Sequence, residues 1–411
     1  MNTFEKTIYN LVKNNTFLKT IIRNTYQYLL SFIPKKKKIS EYKIIEREGY
    51  FFGFHDKIPW SHDDKLLLAH KFTIPNRNIT NKDEIEIGYF YGEDYQEFKS
   101  LAKTKSWNWQ QGSMLQWIGK EDNIIFNYWN GSKNISRIIN KEGELIKELP
   151  VSIAAVNDTG EYALSYSFDR LNIGHYGYGY ANVEDEVSKC YIPSNSGLSI
   201  VDVNTGEIKL LFSIRDIANI ESVKSKKEAY HFFSHCLFAP DGKNFVFLHR
   251  WLNKGRRINS RMIFTDFNGD NLKILPTSGM VSHFTWINNS KLFVFCSTYD
   301  KGDGYYLFDI TDLSYEKIDS NIYPRDGHPQ FSTYNSLIVT DTYPDKFRMQ
   351  EISTYNIQRA EKKIIAKLWS PLNFKDANRC DLHPRWNRTG TLICFDSAHT
   401  KTRSLCTIKL M

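Results

Sequence analysis

The strongest constraint on the fold of this chain is a recurrence. HCLFAPDGKNFVF from His235, HFTWINNSKLFVF from His283, HPQFSTYNSLIVT from His328 and HPRWNRTGTLICF from His383 share one pattern. Each runs histidine, two residues, an aromatic, a polar turn and an apolar strand. The starts lie 48, 45 and 55 residues apart, about the length of one four-stranded propeller blade. Weaker copies begin near His55 (HDKIPWSHDDKLLLAH), Met114 (MLQWIGKEDNIIFNYW) and Val151 (VSIAAVNDTGEYALSY), which makes seven. Such a unit cannot cover both its faces alone, so the pattern predicts an all-β, seven-bladed β-propeller over residues 41–411. Its ring has to close. The strand-like residues 41–46 (EYKIIE) are predicted to supply the outer strand of the last blade, whose own text stops at Thr407–Leu410. A Tyr- and Gly-rich insertion at about 169–196 interrupts the third blade, and its tyrosines could cover one rim of the ring.

Charge separates the N-terminal forty residues from this body. The net charge is +8, yet residues 1–40 hold eight lysines and arginines against Glu5 alone, so seven of the eight surplus charges sit there. A nearly neutral body argues against nucleic acid as a partner. Phe4, Ile8, Leu11, Leu18, Ile22 and Leu29 recur at near-helical spacing before Pro34 and Lys35 to Lys38, which predicts a short basic amphipathic helical segment over residues 1–40. Residues 1–38 could rest on an anionic membrane surface, or the helix could pack on the propeller. No stretch is apolar enough for a membrane span or a signal-peptide core. The six cysteines form no C-x-x-C pair, which excludes a zinc ribbon and a dithiol motif and fits reduced thiols. A monomer in the cytoplasm, free or peripheral to the inner membrane, is the expectation.

Equivalent positions on successive inner strands point at a common axis, so His235, His283, His328 and His383 should converge on the channel, joined by His55. Converging imidazoles serve a divalent metal or a general base; the alternative is a wet channel whose histidines bond buried backbone. Asp381 shares a strand face with His383. His283, His328, Asp381 and His383 are therefore the candidate metal ligands. A second phase follows at the strand ends: His249-Arg250-Trp251, Tyr299, Asp341, Tyr343 and Asp396. Arginines, aspartates and flat rings there would suit a carboxylated sugar. His55, Trp251, Tyr299, Asp341, Tyr343 and Asp396 are the candidate substrate contacts.

The units SHCLFAPDGKNFVFLHRW, SHFTW, DGHPQF and CDLHPRWNRTGTLICFDSAH resemble the oligogalacturonate lyase family of seven-bladed propellers, most closely from residue 231 onward. In that family a channel histidine is the base, an arginine assists, and histidines and a glutamine hold a manganese-type ion. By blade order the resemblance implies His235 as base and His283 as a metal ligand. The family's Gln-x-x-His-x-His run falls on residues 378–383, where His383 is kept and Asn378 and Asp381 stand in the other two positions. The implied reaction is β-elimination from a uronic acid residue of an acidic oligo- or polysaccharide, with Arg250 or Arg215 neutralising the carboxylate and His249 or a tyrosine serving the departing oxygen. A propeller that only binds a glycan or a protein during surface-polysaccharide assembly, and another carbohydrate enzyme using the same channel, are the competing readings.

Overall fold

Unbroken apolar runs such as Leu292-Phe293-Val294-Phe295 belong to strands covered on both faces. A computed structural model, which describes residues 16–31, 33, 36–182, 186–221, 224–255 and 257–410, shows what covers them. Its strands form seven antiparallel sheets in sequential order, the blades of a propeller. Blades 1 to 7 begin at the channel with Tyr50–Phe51, Gln116–Ile118, Ala155–Val156, Tyr230–Phe238, Val281–Trp286, Gln330–Ser332 and Arg385–Trp386. In the blade 5 strand Lys291–Thr298, Leu292, Val294 and Cys296 pack with Val246, Leu248 and Met262 of blade 4. Phe293 and Phe295 pack instead with Ile338 and Tyr355 of blade 6. The strand period of two thus feeds alternate side chains into two neighbouring interfaces. The core is a ring of such layers.

Closure comes from the N-terminal side, as the sequence predicts: Ile44–Glu48 pairs antiparallel with Ser404–Lys409 of blade 7. The preceding residues differ from expectation. Lys38–Ser40 adds a fifth strand to blade 6 against residues 366–368, so the propeller begins at Lys38 rather than at residue 41. The extra strand covers backbone that would otherwise be an open edge. Before it lies a helix over Thr16–Ser31; Phe4, Ile8 and Leu11 fall outside the described residues. Among the described residues no helix is long and apolar enough to cross a membrane.

The insertion lies between two paired strands of blade 3, Tyr162–Ser165 and Gly197–Asp202. It has structure of its own. A helix over Phe168–Gly174 starts at Ser167, whose Oγ accepts the Arg170 backbone N–H at 3.1 Å, and a second turn spans Glu186–Lys189. The buried Arg170 guanidinium donates to the carbonyl oxygens of His231 (2.6 Å), Cys190 (2.6 Å) and Tyr191 (2.8 Å). One side chain so ties the insertion to the root of blade 4.

Candidate active site and metal centre

His235 and His283 sit where the ladder of their inner strand breaks, and His328 and His383 stand two residues before theirs begin. Pairing register shifts between Ser234 and Leu237 in blade 4 and between Val281 and Phe284 in blade 5. His235 and His383 adopt left-handed backbone, with φ of +51° and +44°. A bulge re-aims a side chain, and such backbone at a non-glycine residue costs on the order of 1–3 kcal/mol. The outcome is five imidazoles around the ring of Phe54, with centroids at 4.5 Å (His55), 4.8 Å (His235), 5.1 Å (His383), 5.9 Å (His283) and 6.1 Å (His328). Phe54 is held there from behind. Asp396 accepts the backbone N–H groups of Phe52 and Gly53 at 3.0 and 2.9 Å, and Arg385 donates to the Gly53 carbonyl at 2.8 Å. Gly53 itself has φ +116°, and a Cβ there would come within 2.8 Å of the Gln111 backbone.

Three residues of this ring form a cation-competent set. One ligand atom from each of His328, Asp381 and His383 lies within 4.8 Å of the others. His328 Nε2, His383 Nε2 and Asp381 Oδ1 are buried without a hydrogen-bond partner among the described residues. Three buried polar atoms without partners, on residues whose ligand atoms lie within 4.8 Å of one another, are what a divalent cation can satisfy, and N₂O donors suit a manganese-type or zinc-type ion. The remaining atoms of the set are tied down. Asp341 accepts from His328 Nδ1 and the His328 N–H, both at 2.8 Å, and from the His383 N–H at 3.0 Å. The Nδ1 proton is given to Asp341, so Nε2 is the nitrogen left for a cation, which would displace any proton held there. Arg379 Nε donates to Asp381 Oδ2 at 2.5 Å, which leaves Oδ1 for the cation. Burial holds the His383 and His55 imidazoles well below the ordinary histidine range. In His328 burial opposes the charge, but the Asp341 carboxylate lifts the imidazole above that range.

The insertion roofs the ring. His175 and Tyr178 stack at 4.2 Å, and Tyr178 meets His235 edge-on at 5.8 Å. Arg250 Nη1 lies 3.2 Å from His175 Nδ1, while its Nε is buried with no partner among the described residues. No ion pair among the described residues includes Arg250; the Asp326 carboxylate acts on this buried guanidinium only from beyond ion-pair distance. Burial, with Arg250 and the neighbouring imidazoles, keeps His235 well below the ordinary range, and its Nδ1 has no partner among the described residues. Arg379 reaches across by donating Nη2 to the Tyr178 hydroxyl at 2.6 Å, and its guanidinium lies 5.9 Å from the Tyr343 ring.

Of the residues singled out from the sequence, His55, His235, Arg250, His283, His328, Tyr343, Asp381 and His383 come together here. Others do not. Arg215 is exposed on a short helix, Ile214–Asn219, and Tyr299 is 83% exposed. His249 and Trp251 are buried beside His231 in blade 4, where His231 Nδ1 and Arg261 engage both nitrogens of His249. Asp341 and Asp396 are wholly buried and spent on backbone, His328 and Arg385, out of a substrate's reach. His283 touches the His328 ring at 4.1 Å but lies outside the three-residue set, its Nδ1 being 3.0 Å from Ser282 Oγ and 3.2 Å from Asp326. Tyr178 is one of the insertion tyrosines expected to cover the rim, whereas sequence reasoning missed His175, Asp326 and Arg379. Only Arg379 carried a signal, two residues before Asp381 and so on the same face of an extended segment.

No family model matches the chain, and no curated protein matches it. Solved structures do. An oligogalacturonate lyase in complex with manganese superposes with a TM-score of 0.62 at 13% identity, covering 92% of this chain and 99% of that one. The chain has the oligogalacturonate lyase fold. A second such lyase, from Vibrio parahaemolyticus, matches with a TM-score of 0.61 at 13% identity over the same shares of the two chains. The likeness extends over nearly the whole of both lyases. A shared propeller carries over the architecture, and the reaction has to be argued from the site itself.

Proposed function

We propose that this chain is a polysaccharide lyase that cleaves a uronic-acid-containing glycan by metal-assisted β-elimination. The observation that supports the reading is Arg250: a buried cation that makes no ion pair among the described residues, near an imidazole, His235, whose Nδ1 has no partner among them. A lone buried charge costs several kcal/mol, which a carboxylate-bearing ligand would offset. Arg250 binds that carboxylate and spreads the charge that develops when the C5 proton leaves. A divalent cation held by His328, Asp381 and His383 would supply Lewis-acid neutralisation of the same carboxylate. His235 takes the C5 proton; burial keeps it in the neutral form a base requires. The electrons of the C5–H bond form the C4–C5 double bond as the C4–O4 bond breaks. The departing O4 receives a proton from Tyr343 or Tyr178, phenols that burial pushes up and so keeps protonated. The lining of His175, Tyr178 and Phe54 excludes water from the charged intermediate.

The experiment is a panel of uronic-acid polymers scored for the absorbance of an unsaturated uronate, with and without chelator. We expect His235→Ala to abolish turnover while oligosaccharide affinity stays within about tenfold, because a base acts on the transition state rather than the ground state. No absorbance change with any polymer, or equal loss of binding and turnover in that variant, would leave a glycan-binding propeller as the better reading.

A further inference from the structure

A surface helix normally buries its apolar stripe and shows water its polar side. The helix Thr16–Ser31 is docked the other way round. Among its described side chains Gln27 is the buried one: Nε2 donates to the Asp345 carbonyl at 3.0 Å, and Oε1 accepts from Arg348 Nη1 at 3.3 Å. Arg348 is itself anchored, donating to the carbonyl oxygens of Ser370, Pro371 and Phe374. At 100° per residue, Ile22, Thr25 and Leu29 lie across the helix from Gln27, with Ile21 on the flank. Leu29 is 59% exposed and Ile21 44%, and beyond the helix end Ile33 is 48% exposed. The polar seam fixes the helix to blade 6 and turns the apolar stripe away from it.

Charge decides what that stripe fits. Eight cations and one acid occupy the first forty residues, and Lys36, Lys37 and Lys38 are exposed directly after the apolar face. A second copy would bring the same positive surface against it, so self-association through this face is opposed by repulsion. An anionic bilayer offers acyl chains to the stripe and negative headgroups to the lysines together. We propose that this helix and the lysine run after it dock the propeller onto an anionic lipid surface, with the helix in the plane of the interface and Ile21, Leu29 and Ile33 inserted. The hydrogen bonds of Gln27 stay on the opposite side, so docking requires no detachment of the helix from blade 6. The proposal is independent of the chemistry at the channel.

The test is sedimentation of the full chain with vesicles of phosphatidylcholine, alone or with about a third phosphatidylserine. We expect binding to the anionic vesicles, release by high salt, and a loss of at least about tenfold in affinity for the Ile21→Ser, Leu29→Ser double variant. Both positions are exposed, so the variant should melt with its parent; an unchanged melt certifies that the lost binding is local. Sedimentation with neither vesicle, equal sedimentation with both, or undiminished binding of the double variant would overturn the proposal. So would a dimer in light scattering that the double variant abolishes, since the stripe would then be a contact between copies.

Discussion

Manganese should bind the protein as one equivalent per chain, and His383→Ala should weaken that binding by at least about a hundredfold in titration calorimetry, since even partners of metal ligands are worth 10–100-fold. The variant is a clean test because His383 Nε2 makes no hydrogen bond among the described residues, so truncation breaks no network at that atom. It also relieves nothing elsewhere: the His383 N–H to Asp341 is backbone and survives. Asp381→Asn is a harsher probe, because Arg379 would lose its carboxylate partner as well as the cation. Saturation at a hundred times Kd should stabilise the native protein by about 2.7 kcal/mol, an increment that His383→Ala removes. Asp341→Asn should cost less than His383→Ala, weakening binding about 10–100-fold by loosening the His328 tautomer. A wild-type protein that binds no divalent cation would remove the ion from the mechanism and leave three unpartnered polar atoms to be explained by water.

How far the sequence carried toward this site depends on what each residue's position is controlled by. The channel histidines were legible because they recur at the blade period, and the fold imposes that period. The closing strand Ile44–Glu48 was legible because a ring has to end beside its beginning. Among the strand-end groups Arg250 and Tyr343 reach the site, while His249 and Trp251 miss it for a geometric reason. Neighbours along a strand face opposite ways, so in His249-Arg250-Trp251 the middle residue and the outer two cannot serve one pocket. The register shift between Ser234 and Leu237 sets the phase of the inner strand, and no local pattern announces it. Arg250 reaches the site while His249 and Trp251 join His231. A tyrosine cover was legible in the insertion's composition, but which side chains reach the site was not. The insertion is tied to blade 4 by Arg170 bonding carbonyl oxygens, which belong to every residue alike, and Tyr178 is held by Asn108 and Arg379 from distant segments. The N-terminal helix shows the reverse. Its amphipathicity was plain in the sequence, but which side docks rests on Gln27 and Arg348, 321 residues apart.

Acid should unfold this protein earlier than its carboxylates alone would. His70 is fully buried, its Nε2 accepting the Ser113 backbone N–H at 3.1 Å, and burial pushes its pKa down to about 3. His231, buried between the Lys226 carbonyl and His249, is pushed down to about 4, chiefly by the same loss of solvent. In the unfolded chain both imidazoles take up protons near pH 6.5, while in the folded state they stay neutral until about pH 4 or below. Protons therefore favour the unfolded state throughout that window, and the stability present above pH 6.5 is lost as pH falls. Each histidine contributes about 1.4 kcal/mol per pH unit, so the pair removes about 5 kcal/mol between pH 6.5 and about 4.5. A total stability of about 5–15 kcal/mol cannot absorb much of that. His55, His235, His249 and His383, also held well below the ordinary range by burial, add to it. Carboxylates act later: Asp83, lowered to about 2 chiefly by Arg77, resists protonation until far stronger acid. Urea midpoints measured across this range should fall steadily from about pH 6.5. Midpoints that hold level down to about pH 5 and drop only in the carboxylate range would mean that the buried imidazoles already carry protons in the folded protein.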